Sequence, residues 1–254
     1  MNETVLITGA TSGIGYEFTK LFAKKGYEII AVGRNDKKLE NLQEFIKKEY
    51  KSSIKTIKCN LAHINEIDRL SEEVRNIDID ILVNNAGFNV YGKFSETDFE
   101  KELNLINVNI IVLTKLTKII GQNMKKRGKG KILNMGSTGS FVPGPYNSVY
   151  CASKAYVYSL SQALPQEFKN TGVSVTTLCP GATATNFAKN ASMDNILLFK
   201  SNVMKAEDVA LIGYKALMKN KRFIIAGIKN KAMILFSKFA PQRLILNVTE
   251  NMMR

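Results

Sequence analysis

Short apolar runs rich in Val and Ile alternate with longer stretches of helical periodicity from end to end of this chain. Residues 3–8, 28–33, 53–58, 79–84, 130–136, 173–179 and 222–226 have the length and β-branched character of strands. Between them, 13–26, 36–50, 64–76, 96–126 and 148–170 carry their apolar residues at amphipathic helical spacing. Alternation this regular predicts right-handed βαβ units. The expected fold is α/β, a Rossmann-type doubly wound parallel sheet with helices on both faces. No Pro/Ser-rich linker, composition break or internal repeat divides the chain, so residues 1–254 read as a single domain. Residues 183–203 are the least regular and read as a mobile substrate lid with an apolar underside. Residues 228–254 read as a C-terminal helical tail.

Composition narrows the class. Hydrophobic residues make up 45% and charged residues 23%, which argues against disorder. The opening MNETVLITGA lacks the basic and apolar regions of a secretory signal, and no uninterrupted apolar run approaches the roughly 18 residues of a membrane span. Cys59, Cys151 and Cys179 are widely spaced in apolar surroundings, as free thiols of a reducing compartment would be. A cytoplasmic protein without structural zinc is expected, and no metal site is read from the chain. The lone His63 has no partner constellation and reads as a surface residue at a helix start, which excludes an ordinary Ser-His-Asp hydrolase.

A net charge of +14 raises nucleic acid or an anionic membrane as partners. The densest basic run, 124–131, contains no aromatic residue to stack on bases and reads as a solvated loop, so no nucleic-acid partner is expected. Residues 189–254 carry 12 Lys and Arg against 4 Asp and Glu, interleaved with apolar runs. A membrane surface, a partner subunit or an anionic substrate all remain open for that segment.

The candidate chemistry sits at the ends of the apolar runs. Tyr150 and Lys154 are four residues apart at a helix start, so they share a face. A nearby ammonium would lower the tyrosine pKa and make the phenol a proton donor and acceptor. Ser137 ends a strand and could present its hydroxyl to the same substrate atom. After the first strand, Gly9, Thr11, Ser12, Gly13, Ile14 and Gly15 form a glycine-rich turn opening into a helix. Such a turn permits close backbone approach to a pyrophosphate, with helix N–H groups facing it. At the end of the second strand stands Gly33, then Arg34, in place of the acidic residue that holds a ribose 2′-hydroxyl. A guanidinium there suits a 2′-phosphate, so NADP(H) is expected over NAD(H).

With TGATSGIG at 8–15, NNAG at 84–87, NVNIIVLT around Asn109, YCASK at 150–154 and PGATAT at 180–185, the chain resembles the short-chain dehydrogenase/reductase family. The resemblance covers about 4–225 and is nearest to the hydroxysteroid dehydrogenase and 3-ketoacyl reductase group. It implies that Tyr150 is the general acid and base and that Lys154 lowers its pKa and holds the nicotinamide ribose. It further implies that Ser137 binds the substrate oxygen and that Asn109 supports a proton relay. Asn84, Ala86 and Gly87 would line the cofactor, with Asn60 and Leu61 near adenine. Pro180, Gly181, Thr183 and Thr185 would lie at the carboxamide end. Asn60 departs from the usual Asp at its position. The substrate side is read from Phe141, Val142, Pro143 and Tyr146 with the lid residues Met193, Ile196, Leu197 and Phe199, an apolar set suited to a hydroxysteroid, a bile acid or a 3-oxoacyl chain. The family's subunit-pairing helices correspond to 96–126 and 148–170, so a homodimer or homotetramer is implied. The rival from another class is a catalytically silent NADP-binding regulatory protein.

Overall fold

The computed structural model describes residues 3–193, 195–200 and 203–254; Met1, Asn2, Asp194, Ser201 and Asn202 lie outside the described residues, the last three within the expected lid. Six strands come first: β1 (Thr4–Thr8), β2 (Glu28–Gly33), β3 (Ile54–Lys58), β4 (Ile81–Asn84), β5 (Gly130–Met135) and β6 (Val173–Cys179). A small separate pair follows, β7 (Thr183–Ala184) with β8 (Met204–Lys205), and then β9 (Phe223–Ile225). The main sheet has seven parallel strands in the order β3-β2-β1-β4-β5-β6-β9. All seven predicted strands are therefore in it. Strand order runs outward in opposite directions from β1 and β4, which opens a crevice beyond their carboxyl ends.

The helices before β5 are α1 (Gly13–Lys24), α2 (Asp36–Tyr50), α3 (Ile64–Val74), α4 (Phe99–Ile106) and α5 (Val112–Arg127). After it come α6 (Ser148–Glu167), short α7 (Phe187–Asn190) and α8 (Leu197–Lys200), and α9 (Ala206–Met218). The last two are α10 (Ile228–Ser237) and α11 (Gln242–Met252). Strand alternation divides the core between the two sheet faces. Val5 and Ile7 face Phe18, Phe22 and Leu217, whereas Leu6 faces Leu70, Leu116 and Ile120. Each such side chain, fully buried, contributes about 1.5–3 kcal/mol.

α4 and α5 are joined by a stretch of wider helical turn, Asn107–Ile111. The resulting helix, Phe99–Arg127, is the one among the described residues that is long and apolar enough to cross a membrane, which the count of uninterrupted apolar residues did not anticipate. Half of its apolar window is buried, with Val112, Leu116, Ile120 and Met124 packed against the sheet. The basic run 124–131 also differs from a merely solvated loop. Arg127 and Lys129 reach the Asp80 carboxylate at 2.9 and 3.0 Å, and the Thr4 amide donates to the same group at 3.0 Å. Burial raises the Asp80 pKa, but these hydrogen bonds outweigh it and hold the carboxyl below its ordinary value.

Candidate active site

The crevice at the carboxyl ends of the strands is a cleft of about 540 Å³. Its cofactor half begins at the turn after β1. Gly9 and Gly13 have φ of +66° and +55°, left-handed backbone that a side chain would strain. A Cβ on Gly13 would stand 2.9 Å from Thr185 Cγ2, so the turn and the residue just after β7 approach as closely as glycine allows. Ser12 is the N-cap of α1 but spends no side-chain hydrogen bond on it, and the first turn of α1 has no acidic residue. The amide end of that helix is thus built for an anion. Thr8 Oγ1 accepts from the Asn85 and Ala86 amides at 3.1 and 3.0 Å, locking the ends of β1 and β4 together beside this turn.

Thr11, Ile14, Arg34, Asn60 and Leu61 line the same half, as do Ala86, Gly87, Pro180, Gly181 and Thr183. Arg34 is exposed and makes no hydrogen bond or ion pair among the described residues. Asn60 forms an Asx-type turn, its Oδ1 accepting from the Ala62 amide at 3.3 Å while Glu66 accepts from the Asn60 amide. The residues present fit a dinucleotide: the left-handed glycines, the uncapped helix end and the free guanidinium form a cradle that Cβ atoms would fill.

Two expected cofactor residues are placed elsewhere. Asn84 points into the protein, donating to Thr117 and to Asn134 at 2.9 and 2.8 Å, and it does not line the cleft. Its neighbour Asn85 does, because successive side chains leave a strand on opposite faces. Gly15 is likewise outside the lining. A Cβ there would stand 2.2 Å from the Gly9 carbonyl oxygen, so its role is the packing of α1 onto the turn.

The catalytic candidates converge at the other half. Lys154 is 3% exposed and donates to the Met135 carbonyl at 2.9 Å, with its ammonium 5.7 Å from the Tyr150 ring centre. Burial pulls its pKa down to about 8. Tyr150 is partly buried, and desolvation raises its pKa while its hydrogen bond with Ser137 opposes the rise. The expectation that Lys154 lowers the tyrosine pKa is not met in the protein alone: burial dominates, and the pKa stands above its ordinary value. Ser137 is fixed by a reciprocal cap, its Oγ accepting from the Gly139 amide at 3.1 Å while its own amide donates to Ser140 Oγ. Ser140 in turn donates to the Lys154 carbonyl at 2.8 Å, which ties the serine loop to α6.

Asn109 lies in the wide turn between α4 and α5, a distortion frequent at functional sites. Its amide donates to the Phe88 carbonyl and Ser153 and accepts from the Phe88 amide, so it does not itself line the cleft. Gly87 separates it from Lys154: a Cβ there would stand 3.2 Å from Asn109 Oδ1 and 3.3 Å from Lys154 Nζ.

At the substrate end Val142, Met193 and Phe199 line the cleft as expected, but Pro143, Ile196 and three others do not. Phe141 packs edge-on against Tyr158 at 4.6 Å. Tyr146, at φ +63°, lies tilted against Tyr91 and accepts from Arg254, and Leu197 faces outward. Their places are taken by Phe187, whose ring is 5.6 Å from that of Tyr150, by Leu198, and by Met233, Thr249, Met252 and Met253. Met253 is held by Tyr91, which donates to its carbonyl, and by Asn147, which donates to its sulfur. Asn89 donates to Asn147 and to Met193, and its own Oδ1 is buried without a partner. Tail residues could not be placed here from sequence, since no local pattern says where the last helix lands. His63 is exposed at the start of α3 and borders the cleft. Among the described residues no cluster of metal-ligating side chains occurs.

The family profile described as short chain dehydrogenase matches residues 3–196. Very-long-chain 3-oxoacyl-CoA reductase of Rattus norvegicus is 32% identical over 193 residues, 74% of this chain and 62% of that protein. The 17-beta-hydroxysteroid dehydrogenase type 3 of Mus musculus is 33% identical over 192 residues, 74% and 63% of the two chains. The match thus spans less than two thirds of these curated relatives. A short-chain dehydrogenase from Sphingobium yanoikuyae, solved in complex with NADPH, superposes with a TM-score of 0.86 at 29% identity, covering 95% of this chain and 94% of that one.

Proposed function

We propose that this chain, which belongs to the short-chain dehydrogenase family, is an NADP(H)-dependent enzyme that interconverts a secondary alcohol and a ketone on an apolar substrate. The observation that carries the reading is the meeting of Ser137, Tyr150 and buried Lys154 in one cleft with the glycine turn and Arg34. The bound nicotinamide would supply or accept the hydride. The chain's own residues do the rest. Ser137 Oγ holds the carbonyl oxygen, and Tyr150 Oη gives it a proton in reduction or takes one in oxidation. Lys154 places a positive charge beside that proton and Asn109, across Gly87, fixes the backbone around it. Gly9, Gly13 and the α1 amides would bind the pyrophosphate, and Arg34 the 2′-phosphate.

An apolar substrate is supported by the methionines and phenylalanines that close the cleft, and by relatives named for 3-oxoacyl-CoA and hydroxysteroid chemistry. A hydroxysteroid, a bile acid or a 3-oxoacyl chain is the proposed class. The test is an NADPH-oxidation screen over such ketones. Tyr150→Phe should lose nearly all kcat while keeping NADPH affinity and Tm; undiminished kcat refutes the mechanism. NADPH binding without turnover of any ketone would favour the silent regulatory reading, which no feature of the site calls for. Arg34→Ala should erode preference for NADPH over NADH by about tenfold or more, the weight of one charge-assisted pair. Unchanged preference in the ratio of kcat/KM values would remove Arg34 from that role.

A further inference from the structure

We propose that the outer face of α10 and α11 docks on anionic lipid bilayers and holds the cleft mouth against the lipid surface. α10 exposes Ile228 at 84%, Leu235 at 60% and Phe236 at 66%, and Phe239 just beyond it at 83%. With exposed Ala232 these fall at i, i+4, i+7, i+8 and i+11, a single stripe along the helix, while Ile234 on the inner side is buried. Lys229 flanks the stripe on one side, and Lys231 and Lys238 on the other. On α11, Leu244 and Val248 add an outward pair one turn apart, with Arg243 beside them.

A stripe of large apolar side chains edged by lysines has the form of a helix lying in the headgroup plane. Charge decides between that occupant and a second copy of the chain. No Asp or Glu occurs between residues 228 and 249, and Glu250 on α11 is already paired with Arg254, so a symmetric pairing of this stripe would set Lys231 and Lys238 against like charges. A surface of anionic headgroups places negative charge against Lys231 and Lys238 instead. The inner side of the same helices lines the cleft through Met233, Thr249, Met252 and Met253. One face would therefore touch lipid while the other touches substrate. The docking itself is independent of the activity; only its use in delivering an apolar ketone rests on the proposed reaction.

Co-sedimentation of the full chain with phosphatidylcholine vesicles, with and without phosphatidylglycerol, tests it. Binding is expected to the phosphatidylglycerol vesicles. Lys231→Glu with Lys238→Glu should weaken it by at least about twentyfold, at roughly fivefold per lysine removed. Phe236→Ser with Phe239→Ser should weaken it by tenfold or more, since both rings lose their burial in the interface. All four positions are exposed, so unchanged Tm and NADPH binding are the control. Wild-type protein that stays in solution, or variants that bind as well as wild type, overturn the proposal. If vesicles are ignored and the Phe variants instead lower the mass seen in light scattering, the stripe pairs two copies and the proposal falls. A chain that docks but reduces no ketone would leave the docking intact and sink only the proposed reaction.

Discussion

Lys154 is costly to the fold, and the proposed reaction uses its charge. Its amine is buried and held near pKa 8 against an ordinary 10.5. Below about pH 8 it is protonated in both folded and unfolded chains, and the desolvation cost is carried in full. Between about 8 and 10.5 the folded amine loses its proton first, so its contribution to stability improves as pH rises. Lys154→Met should therefore be more stable than the natural chain at pH 7, by up to about 3 kcal/mol, and inactive. Urea denaturation at pH 7 and pH 10 checks this, and a gap that widens with pH contradicts it. The same pKa limits catalysis. Tyr150 stays protonated well above neutrality, so kcat/KM for reduction should fall above about pH 8 as Lys154 loses its charge. A flat profile to pH 10 would show that the ammonium is dispensable. The residues proposed for this chemistry could be picked out in sequence because Tyr150 and Lys154 share one helix and Ser137 follows one strand. Asn84 was misread because the strand end hides which of two adjacent asparagines turns inward, and Tyr146 because a left-handed backbone re-aims its ring.

Among elements, the β1–α1 turn couples fold to cofactor most tightly. Gly15 is needed because the helix sits against the turn, with the Gly9 carbonyl where a methyl would go. Gly15→Ala must push backbone apart, at about 1–3 kcal/mol, and move the α1 amides away from the phosphate cradle. The expected result is a lower Tm together with NADPH binding weakened by about tenfold or more, read by thermal melts and fluorescence titration. Loss of stability with unaltered affinity would separate the two roles. Strands were the most legible elements, since seven compact apolar runs admit little else. The wide turn at Asn107–Ile111 left no such trace, because the periodicity on either side of it is ordinary helix. The 183–203 segment is a distinct small core, in which Ala188, Ala191, Met193 and Ile196 pack with Tyr91, Phe199 and Met253. Tyr91 and Met253 lie far away in sequence, which is why these partners could not be read from the segment itself.

At the scale of the whole molecule two exposed surfaces differ in chemistry, and the difference assigns them different partners. The α10 stripe is edged by lysines. The outer face of α6 presents Ala152, Ala155, Tyr156, Ser159 and Ala163, spaced as one helical stripe without a charge. Tyr156 hydrogen-bonds Thr114 of α5 at 3.0 Å, which ties the exposed edges of the two helices together. Small uncharged residues let two helices approach closely, and a two-fold axis through such a face meets no like-charge penalty. We therefore propose a homodimer through α5 and α6, with the α10 stripe left free. Ala155→Glu with Ser159→Glu places like charges at the centre of that contact while changing only exposed positions of the monomer. Light scattering should show the natural chain at twice its 28.3 kDa mass, or a higher multiple, and the variant shifted to a smaller assembly. Vesicle binding should survive in the variant, because its surface lies on other helices. A natural chain that runs as a monomer, or a variant whose mass is unchanged, would leave the α6 face without the partner its composition calls for.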